Sequence, residues 1–340
     1  MTAMDQFSQW PLLSVAIPVV AAVLCAALIV LLRPLLVRYA LARPNARSSH
    51  TEPTPQGGGI AVIAATVATI ALAGLWVRPA DAYALAIVLA AALFLALVGA
   101  MDDLRPLPVL PRLVLQIAAV AAVLAVLPAQ LRIVPFLPLW LERGVLLLAM
   151  LWFVNLVNFM DGLDWMTVAE MLPVTVALSA FGLAGWTPAG IVPVVLALAG
   201  ALAGFAPFNR PVARLFLGDV GSLPIGLLIA WCLLQLAAQG YLAAALLLPL
   251  YYMADASITL ILRLRRGEKV WQAHRTHFYQ RATDNGFKVI EIVGIVFMLN
   301  VLLAGLAAVS IALASPWIDV LLLSAGAGAV AAVLGRFLRK

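Results

Sequence analysis

Apolar runs, most of them close to the length of a membrane-spanning helix, take up the greater part of this 340-residue chain. A helix of about 20 apolar residues crosses about 30 Å of bilayer hydrocarbon. Helices are favoured over a barrel because the runs lack the alternating pattern of barrel strands. The run at 144–158 is short, so this span could begin earlier, near Leu139. The sequence predicts an all-α, polytopic membrane helix bundle of about 10 or 11 spans, at roughly residues 11–32, 58–77, 83–101, 113–128, 144–158, 167–185, 189–206, 221–238, 241–262, 289–314 and 317–335.

Lysine and arginine are distributed unequally between the loops. If the eleven runs are spans, 18 of the 21 basic residues follow odd-numbered spans or lie in the C-terminal tail. The other side holds only Arg78, Arg132 and Arg143. Positive charge near span ends stays on the cytoplasmic side, which predicts an outer N-terminus and a cytoplasmic C-terminus. The net charge of +6 reflects this bias and predicts the lipid bilayer and anionic substrates as partners, with no nucleic acid.

Polar residues concentrate in five predicted cytoplasmic segments, whereas the outer loops are short. Short outer loops argue against an extracellular receptor or adhesin. We expect residues 1–340 to form a single integral-membrane domain, with an active site built from segments 43–59, 102–112, 155–166, 207–222 and 263–288.

The first segment ends in Gly57, Gly58 and Gly59, where the second span begins. Glycine permits close backbone approach, and amides at a helix N-terminus can receive phosphate. The pattern is not a Walker loop, because no Gly-Lys-Ser/Thr follows. Two interpretations stay open: a phosphate-binding turn, or a hinge that allows close helix packing.

Two adjacent carboxylates, Asp102 and Asp103, end the third apolar run. Acids at a membrane boundary are costly unless they are paired, hydrated or bound to a cation, and their like charges raise one pKa. The pair therefore suits a Mg²⁺ site or a general base. The alternative is a helix end with solvated acids and Arg105 as their partner.

The third segment carries Asn155, Asn158, Asp161 and Asp164 at three-residue spacings. On a helix this spacing places all four near one face. If Gly162 ends the helix, the two aspartates lie in a turn. Either arrangement predicts that amides and carboxylates converge. A capping and turn sequence would explain Asp161 but not the asparagines.

The last two segments supply a further acid and a basic cluster. Asp219 stands between glycines at the entrance of the eighth span, where an aspartate can cap helix amides. His274 and His277 could bind a metal, but Arg275 and Arg281 beside them favour phosphate binding. Docking of this segment to anionic lipid headgroups is the alternative.

Together these segments have the residues needed to bind a diphosphate substrate that Mg²⁺ bridges. A transporter of an anionic solute would place its polar groups near the membrane midplane, whereas here they lie at one face. A CDP-alcohol transferase would need Asp-Gly-x-x-Ala-Arg, whereas Asp161-Gly162 precedes Leu-Asp-Trp-Met.

Five motifs follow one another along the chain: Pro-Thr-Pro-Gln-Gly-Gly-Gly, Asp102-Asp103, Asn155-x-x-Asn158-Phe-x-Asp161-Gly-x-Asp164, Phe216-Leu-Gly-Asp219-x-Gly-Ser and His274-Arg-x-His277. In this order they resemble the polyprenyl-phosphate N-acetylhexosamine-1-phosphate transferase family (glycosyltransferase family 4). The form His-Arg-Thr-His-Phe-Tyr-Gln-Arg is similar to the O-antigen-initiating branch. Trp165 departs from the family, which usually has glycine there, and adds bulk beside the supposed uridine site.

The resemblance implies transfer of an N-acetylhexosamine 1-phosphate (GlcNAc or a deoxy N-acetyl sugar) from a UDP-sugar to undecaprenyl phosphate. The products would be undecaprenyl-diphospho-sugar and UMP, in the initiating step of O-antigen or other cell-envelope polysaccharide synthesis. It also implies Mg²⁺ as cofactor, replaceable by Mn²⁺, a bacterial inner-membrane location, a cytoplasmic active site and a homodimer as one expected assembly. The residue roles it implies are catalytic for Asp102, Asp103 and Asp161, metal-binding for Asp219 and Asp103, and substrate-binding for Asn158, Asp164, Asn209, Phe216, His274, Arg275, His277 and Arg281.

Overall fold

The computed structural model describes residues 3–42, 53–76, 81–269 and 274–339. The helices in these ranges are α1 Ala3–Tyr39, α2 Gly58–Ala73, α3 Ala82–Leu104, α4 Val109–Ala125, α5 Leu139–Met160, α6 Met166–Leu183, α7 Val192–Phe205, α8 Asp219–Ala238, α9 Leu242–Leu247, α10 Leu250–Arg265, α11 Phe278–Asp284, α12 Val289–Leu313 and α13 Pro316–Phe337. A 3₁₀ turn, Ala189–Ile191, precedes α7, and two short antiparallel strands, β1 Leu41–Ala42 and β2 Thr54–Pro55, follow α1.

The predicted all-α membrane bundle is confirmed, and the chain is a multi-pass membrane protein. Within the described ranges, seven helices are long and apolar enough to cross a membrane, and three apolar helices of 10–17 residues accompany them. The fifth span begins at Leu139, the earlier of the two starts considered. The side of the membrane on which each terminus lies stays a prediction.

The predicted ninth span, 241–262, is wrong as one continuous helix. The structure divides it into α9 and α10, with Leu248 and Pro249 between them. Proline has no N–H to continue a helix and clashes with the preceding turn. The second half is also less apolar than a membrane span, because α10 carries the buried polar side chains Asp255 and Arg263.

Helix α8 lies at the centre of the bundle, with 94% of its most apolar stretch buried. Its neighbours approach it at backbone distance. A Cβ atom on Gly59 of α2 would lie 2.3 Å from the Gly221 Cα atom, and a Cβ on Gly99 of α3 would lie 2.2 Å from the Asp219 carbonyl oxygen. This close packing places the N-terminus of α8 against the end of α3 and the start of α2.

Gly58 and Gly59, at the start of α2, serve packing rather than phosphate binding. The amides of Gly58 and Gly59 donate to the carbonyl oxygens of Phe216 and Leu217, each at 2.8 Å. The expectation that these amides receive phosphate is therefore wrong for both residues, and the alternative of close helix packing is confirmed. Residues 43–52 of the first predicted segment lie outside the described residues.

Candidate active site

The acidic centre, which we define as Asp102, Asp103, Asn158 and Asp219, forms where α3, α5 and α8 meet. Asp103, in the last turn of α3, accepts hydrogen bonds from the backbone amides of Asp219 at 3.0 Å and Val220 at 3.1 Å. These amides begin α8 and have no partner within their own helix. Asp103 therefore caps α8 across the interface, whereas the sequence had suggested Asp219 as the cap.

Capping by Asp103 leaves the Asp219 carboxylate for other contacts. Its Oδ1 atom accepts from the Asn158 amide at 2.7 Å, and Asn158 also donates to the Ser222 hydroxyl at 2.9 Å. Its Oδ2 atom lies 3.9 Å from the Arg112 guanidinium. Asp219 is thus oriented by neutral and positive groups from two other helices.

Asp102 completes the acidic centre. Its carboxylate accepts from the Leu107 amide at 2.6 Å and from Arg112 at 2.7 Å, and the same Arg112 nitrogen lies 3.9 Å from the Asp219 carboxylate. Arg112, not Arg105, is the basic partner of this acid, so the alternative with Arg105 is wrong for Asp102. Two carboxylates and one guanidinium therefore converge at the end of α3.

The donor atoms here fit a Mg²⁺ ion. Magnesium is usually held by one or two carboxylates together with substrate phosphates and water. Among the described residues, no three His, Cys, Asp or Glu side chains form a closed metal site, whereas Asp102 and Asp219 form an open two-carboxylate set. Both oxygens of Asp103 hold backbone amides, so the geometry favours Asp102 over Asp103 as the partner of Asp219. The metal-binding and catalytic roles of Asp103 stay predictions.

The turn after α5 contains the next two predicted residues. Helix α5 ends at Met160, and Asp161 follows as its C-cap residue. Asp161 accepts a hydrogen bond from the Thr167 hydroxyl. Desolvation raises the pKa of Asp161 to about 7; the Thr167 bond opposes this rise, and the charges of Asp103 and Asp164 add to it. Asp161 can therefore exchange a proton near neutral pH.

The four polar residues of this segment do not all converge, contrary to expectation. Asn155 donates to Gln116 of α4 at 2.7 Å, whereas Asn158, one turn later, reaches Asp219. Asp164 is buried and accepts from the Ala213 amide at 2.9 Å. Only Asn158 joins the acidic centre directly, because Asn155 faces a different helix.

Asn209 and Asp164 bind the 207–217 loop to the turn after α5. The Asn209 side chain accepts from the Trp165 amide at 2.7 Å and donates to the Leu215 carbonyl at 2.9 Å. Both polar ends of Asn209 therefore hold backbone, and the side chain is buried. Phe216, next in this loop, is half-buried, and its amide donates to the Pro55 carbonyl oxygen at 2.8 Å.

Trp165 stands in the left-handed backbone region, with φ of 63°. Glycine takes this conformation without a Cβ penalty, which gives a physical reason for the glycine usual in the family. The indole donates to the Ala206 carbonyl oxygen at 2.6 Å. The side chain thus packs against the end of α7 and braces the same loop that Asn209 holds.

The basic loop, residues 274–281, lies beside this turn. The Tyr279 hydroxyl donates to the Phe159 carbonyl oxygen at 3.1 Å and so joins α11 to the end of α5.

The predicted site residues of the basic loop differ in their surroundings. Arg275 donates to Thr283 at 2.9 Å and lies 3.3 Å from the Asp284 carboxylate. Arg281 is exposed on α11. His274 is half-buried, and its ring lies 4.8 Å from that of His277.

His277 has a partner that the sequence reading missed. Its Nδ1 atom lies 3.2 Å from the carboxylate of Asp255, a fully buried residue of α10. An acid inside an apolar run is itself a signal of a functional or paired site, and Asp255 stands within the predicted span 241–262. Asp255 was not among the predicted site residues, because those lie at the ends of spans or between them, whereas Asp255 lies inside one.

An open cleft of about 780 Å³ lies where the loops meet. Three basic residues, Arg210, Arg275 and Lys288, and one acidic residue, Asp164, contribute to its walls. The basic residues suit the cleft to an anionic ligand. Most of its lining comes from three of the five predicted segments and includes two predicted site residues, Asp164 and Arg275.

The comparisons with known proteins agree with the motifs. Residues 85–237 match the model of Glycosyl transferase family 4. The chain is 27% identical, over 76% of its length and 74% of the relative's, to a decaprenyl-phosphate N-acetylglucosaminephosphotransferase of Mycobacterium leprae. It is 22% identical, over 83% of both chains, to a probable undecaprenyl-phosphate N-acetylglucosaminyl 1-phosphate transferase of Bacillus subtilis.

A shorter match concerns the muramoyl branch. The chain is 34% identical, over 36% of its length and 38% of the relative's, to a phospho-N-acetylmuramoyl-pentapeptide-transferase of Enterococcus hirae. The resemblance to the polyprenyl-phosphate N-acetylhexosamine-1-phosphate transferases is thus confirmed. The closer likeness to the O-antigen-initiating branch stays a prediction.

Proposed function

We propose that this protein transfers an N-acetylhexosamine 1-phosphate from a UDP-sugar to undecaprenyl phosphate. A phosphate oxygen of the lipid forms a bond to the β-phosphorus of the nucleotide sugar. The bond from that phosphorus to the bridging oxygen breaks, and UMP leaves with the electron pair. The observation that carries the proposal is the convergence of Asp102, Asp219 and Arg112 at one end of a membrane helix bundle.

A polar centre at the end of membrane helices suits two substrates of opposite character. The polyisoprenoid tail can stay in lipid while its phosphate meets a water-soluble nucleotide. Phosphoryl transfer needs charge neutralisation and positioning more than covalent help from the protein. The acidic centre and the basic loop supply groups of both signs within one connected set of loops.

Asp219 and Asp102 would hold Mg²⁺, which would neutralise phosphate charge when bound; Mn²⁺ is a chemically similar substitute. Asn158 and Asp103 would position this pair, Asn158 through its bond to Asp219 and Asp103 through its cap on α8. Arg112 would balance the two acids before substrate arrives. A general base has little to add, because a phosphate monoester is mostly ionised at neutral pH.

The nucleotide would lie between Phe216 and the turn from Asp161 to Asp164, near Asn209. An aromatic face can stack a base, and a carboxylate can accept the imide hydrogen of uracil. Arg275, His274 and His277 would bind the diphosphate or the sugar, with Arg281 at the rim of the basic loop. The basic walls of the neighbouring cleft support this placement.

The names of the two long-matching relatives make GlcNAc the first sugar to test, with deoxy N-acetyl sugars next. We place the enzyme in a bacterial inner membrane with its site facing the cytoplasm, on the strength of the positive charge in the odd-numbered loops. The product would begin O-antigen or another cell-envelope polysaccharide.

The test is a reconstitution. The full chain in lipid nanodiscs is incubated with undecaprenyl phosphate, Mg²⁺ and a panel of UDP-N-acetylhexosamines, and both UMP release and the mass of the lipid product are measured. We expect UMP and lipid diphospho-sugar in equal amounts with at least one donor. Asp219→Asn is the matched inactive control. A folded wild-type protein that releases no UMP with any donor would disprove the proposal.

A further inference from the structure

The buried carboxylate of Asp255, in α10, accepts hydrogen bonds from several residues of the basic loop. Its side chain is fully buried. It accepts hydrogen bonds from the backbone amides of Phe278 at 3.0 Å and Tyr279 at 3.2 Å, and from the hydroxyls of Tyr251 and Thr259. The His277 ring nitrogen Nδ1 lies 3.2 Å from the same carboxylate. A buried carboxylate is tolerated only when donors surround it.

The contact between Asp255 and His277 decides which ring nitrogen bears the proton. An ionised carboxylate only accepts hydrogen bonds, so the Nδ1 atom of His277 must be the donor. The hydrogen bond at one imidazole nitrogen sets the role of the other. Nε2 is therefore the nitrogen left to meet a ligand.

The ring plane of His277 is fixed as well. The ring stacks on Tyr279, with centroids 5.6 Å apart and an interplanar angle of 18°, and lies 4.8 Å from the His274 ring. Only 3% of His277 is exposed. Because its Nδ1 edge faces the buried Asp255, the opposite edge is the one that can face the loop surface.

We propose that Asp255 is a positioning residue for His277. It holds the proton on Nδ1 and orients the ring, so that Nε2 meets a phosphate or hydroxyl oxygen of the sugar nucleotide. This inference rests on the proposed function for the identity of the ligand. Its geometric core, the Nδ1–H tautomer held by Asp255, stands apart from turnover and can be tested in the resting protein.

The first experiment reads the tautomer directly. The chain has three histidines, His50, His274 and His277, so a ¹⁵N-histidine spectrum of the full protein in nanodiscs is simple. The His277 signal is identified by its loss in His277→Gln. We expect it to show the Nδ1–H form in the wild type and to lose that form in Asp255→Asn. A wild-type His277 with its proton on Nε2 alone would overturn the proposal, even if Asp255→Asn does not fold.

The second experiment is a double-mutant cycle on steady-state kinetics. Loss of a supporting partner of a binding histidine costs about 10- to 100-fold in affinity at metal sites, and we expect Asp255→Asn to raise KM for UDP-GlcNAc by about tenfold. The KM for undecaprenyl phosphate should stay unchanged. Asp255→Asn should add nothing in a His277→Gln background, because both variants remove the same interaction.

Tyr251→Phe is the matched control. It removes one donor to Asp255 and leaves His277 in place, so its KM values should match the wild type. Additive effects of Asp255→Asn and His277→Gln, or an equal rise in KM for Tyr251→Phe, would show that Asp255 only supports the fold and would overturn the proposal. If the wild type itself has no activity, the proposed function fails and the tautomer experiment still decides the pairing.

Discussion

The acidic centre draws its four side chains from the ends of three packed helices, whereas the basic loop lies on one connection, held by the Asp255 carboxylate and by the bond from Tyr279 to Phe159. Helices α2 and α3 meet α8 at backbone distance, through Gly59 and Gly99. The two described glycines on either side of the basic loop, Gly267 and Gly286, have open space around them.

This difference suggests separate roles for the two regions, one in the reaction and one in ligand binding. A centre built on rigid helix ends can hold charges in place for a reaction that depends on positioning. A loop on a connection between helices can adjust more to the ligand it contacts. We therefore expect substitutions in the acidic centre to lower kcat and substitutions in the basic loop to raise KM.

The largest effect should come from Asp219→Asn. The substitution keeps the shape of the side chain and the bond to Asn158 but removes the charge that would hold Mg²⁺. We expect kcat to fall by at least about 10²-fold, by analogy with the loss of one electrostatic group in other active sites. Ser222→Ala, which removes the other acceptor of the Asn158 amide, is the control and should lose far less. UMP release over a Mg²⁺ series measures both, and near-normal turnover of Asp219→Asn at saturating Mg²⁺ would contradict the assignment.

The basic loop is tested by Arg275→Lys. Lysine keeps the charge but loses the planar donors that bind phosphate oxygens in pairs. We expect KM for UDP-GlcNAc to rise about tenfold, since one hydrogen bond to a charged group is worth about 1.5–3 kcal/mol, with kcat less affected. Arg281→Lys, at an exposed position, should change less. If both variants bind donor like the wild type but lose dependence on anionic lipid, the loop docks to headgroups and the sugar pocket lies elsewhere.

The sequence was informative at four positions where a polar residue stands at the end of an apolar run. Asp102, Asp103, Asn158 and Asp219 stand at such ends, and the structure brings all four together. The sequence could not predict which contacts each of these acids makes, because the contacts depend on how α3 packs against the N-terminus of α8. The cap that Asp103 places on α8 was also not predicted, and its metal-binding role stays a prediction.

Residues inside the runs were harder to interpret. Asp255 and Glu170 are both fully buried acids within apolar stretches, and hydropathy averaged over a span hides single charges. Glu170 accepts from Asn300 of α12, a contact 130 residues away along the chain. Long-range pairing of this kind has no local signature. The sequence shows Pro249, but proline also occurs inside membrane helices. Its presence alone therefore does not predict that the ninth span divides into two helices.

The rigidity of the acidic centre is tested by Asp103→Ala. The variant removes the cap of α8, and loss of a helix cap typically costs about 0.5–2 kcal/mol. We expect a lower thermal unfolding midpoint in detergent, while Asp103→Asn, which can still accept one amide, should retain part of the stability. Asp102→Ala is the control, because Asp102 caps no helix amide of α8. An unchanged midpoint for Asp103→Ala would mean that close glycine packing alone fixes the start of α8.

The smallest effect we expect is a pH dependence that comes from Asp161. Its pKa is raised to about 7, chiefly by desolvation, so the side chain is mostly charged at pH 8 and mostly protonated at pH 6. If the carboxylate is the active form, kcat should fall several-fold as pH falls through about 7.

Undecaprenyl phosphate also takes up a proton, near pH 6. This protonation gives a second limb in the plot of kcat against pH, which serves as an internal reference. Asp161→Asn should be slower throughout and should lose the limb near pH 7 while keeping the one near pH 6. A variant that keeps both limbs would assign the titration near pH 7 to another group, and Asp161 would then serve the turn after α5 rather than the reaction.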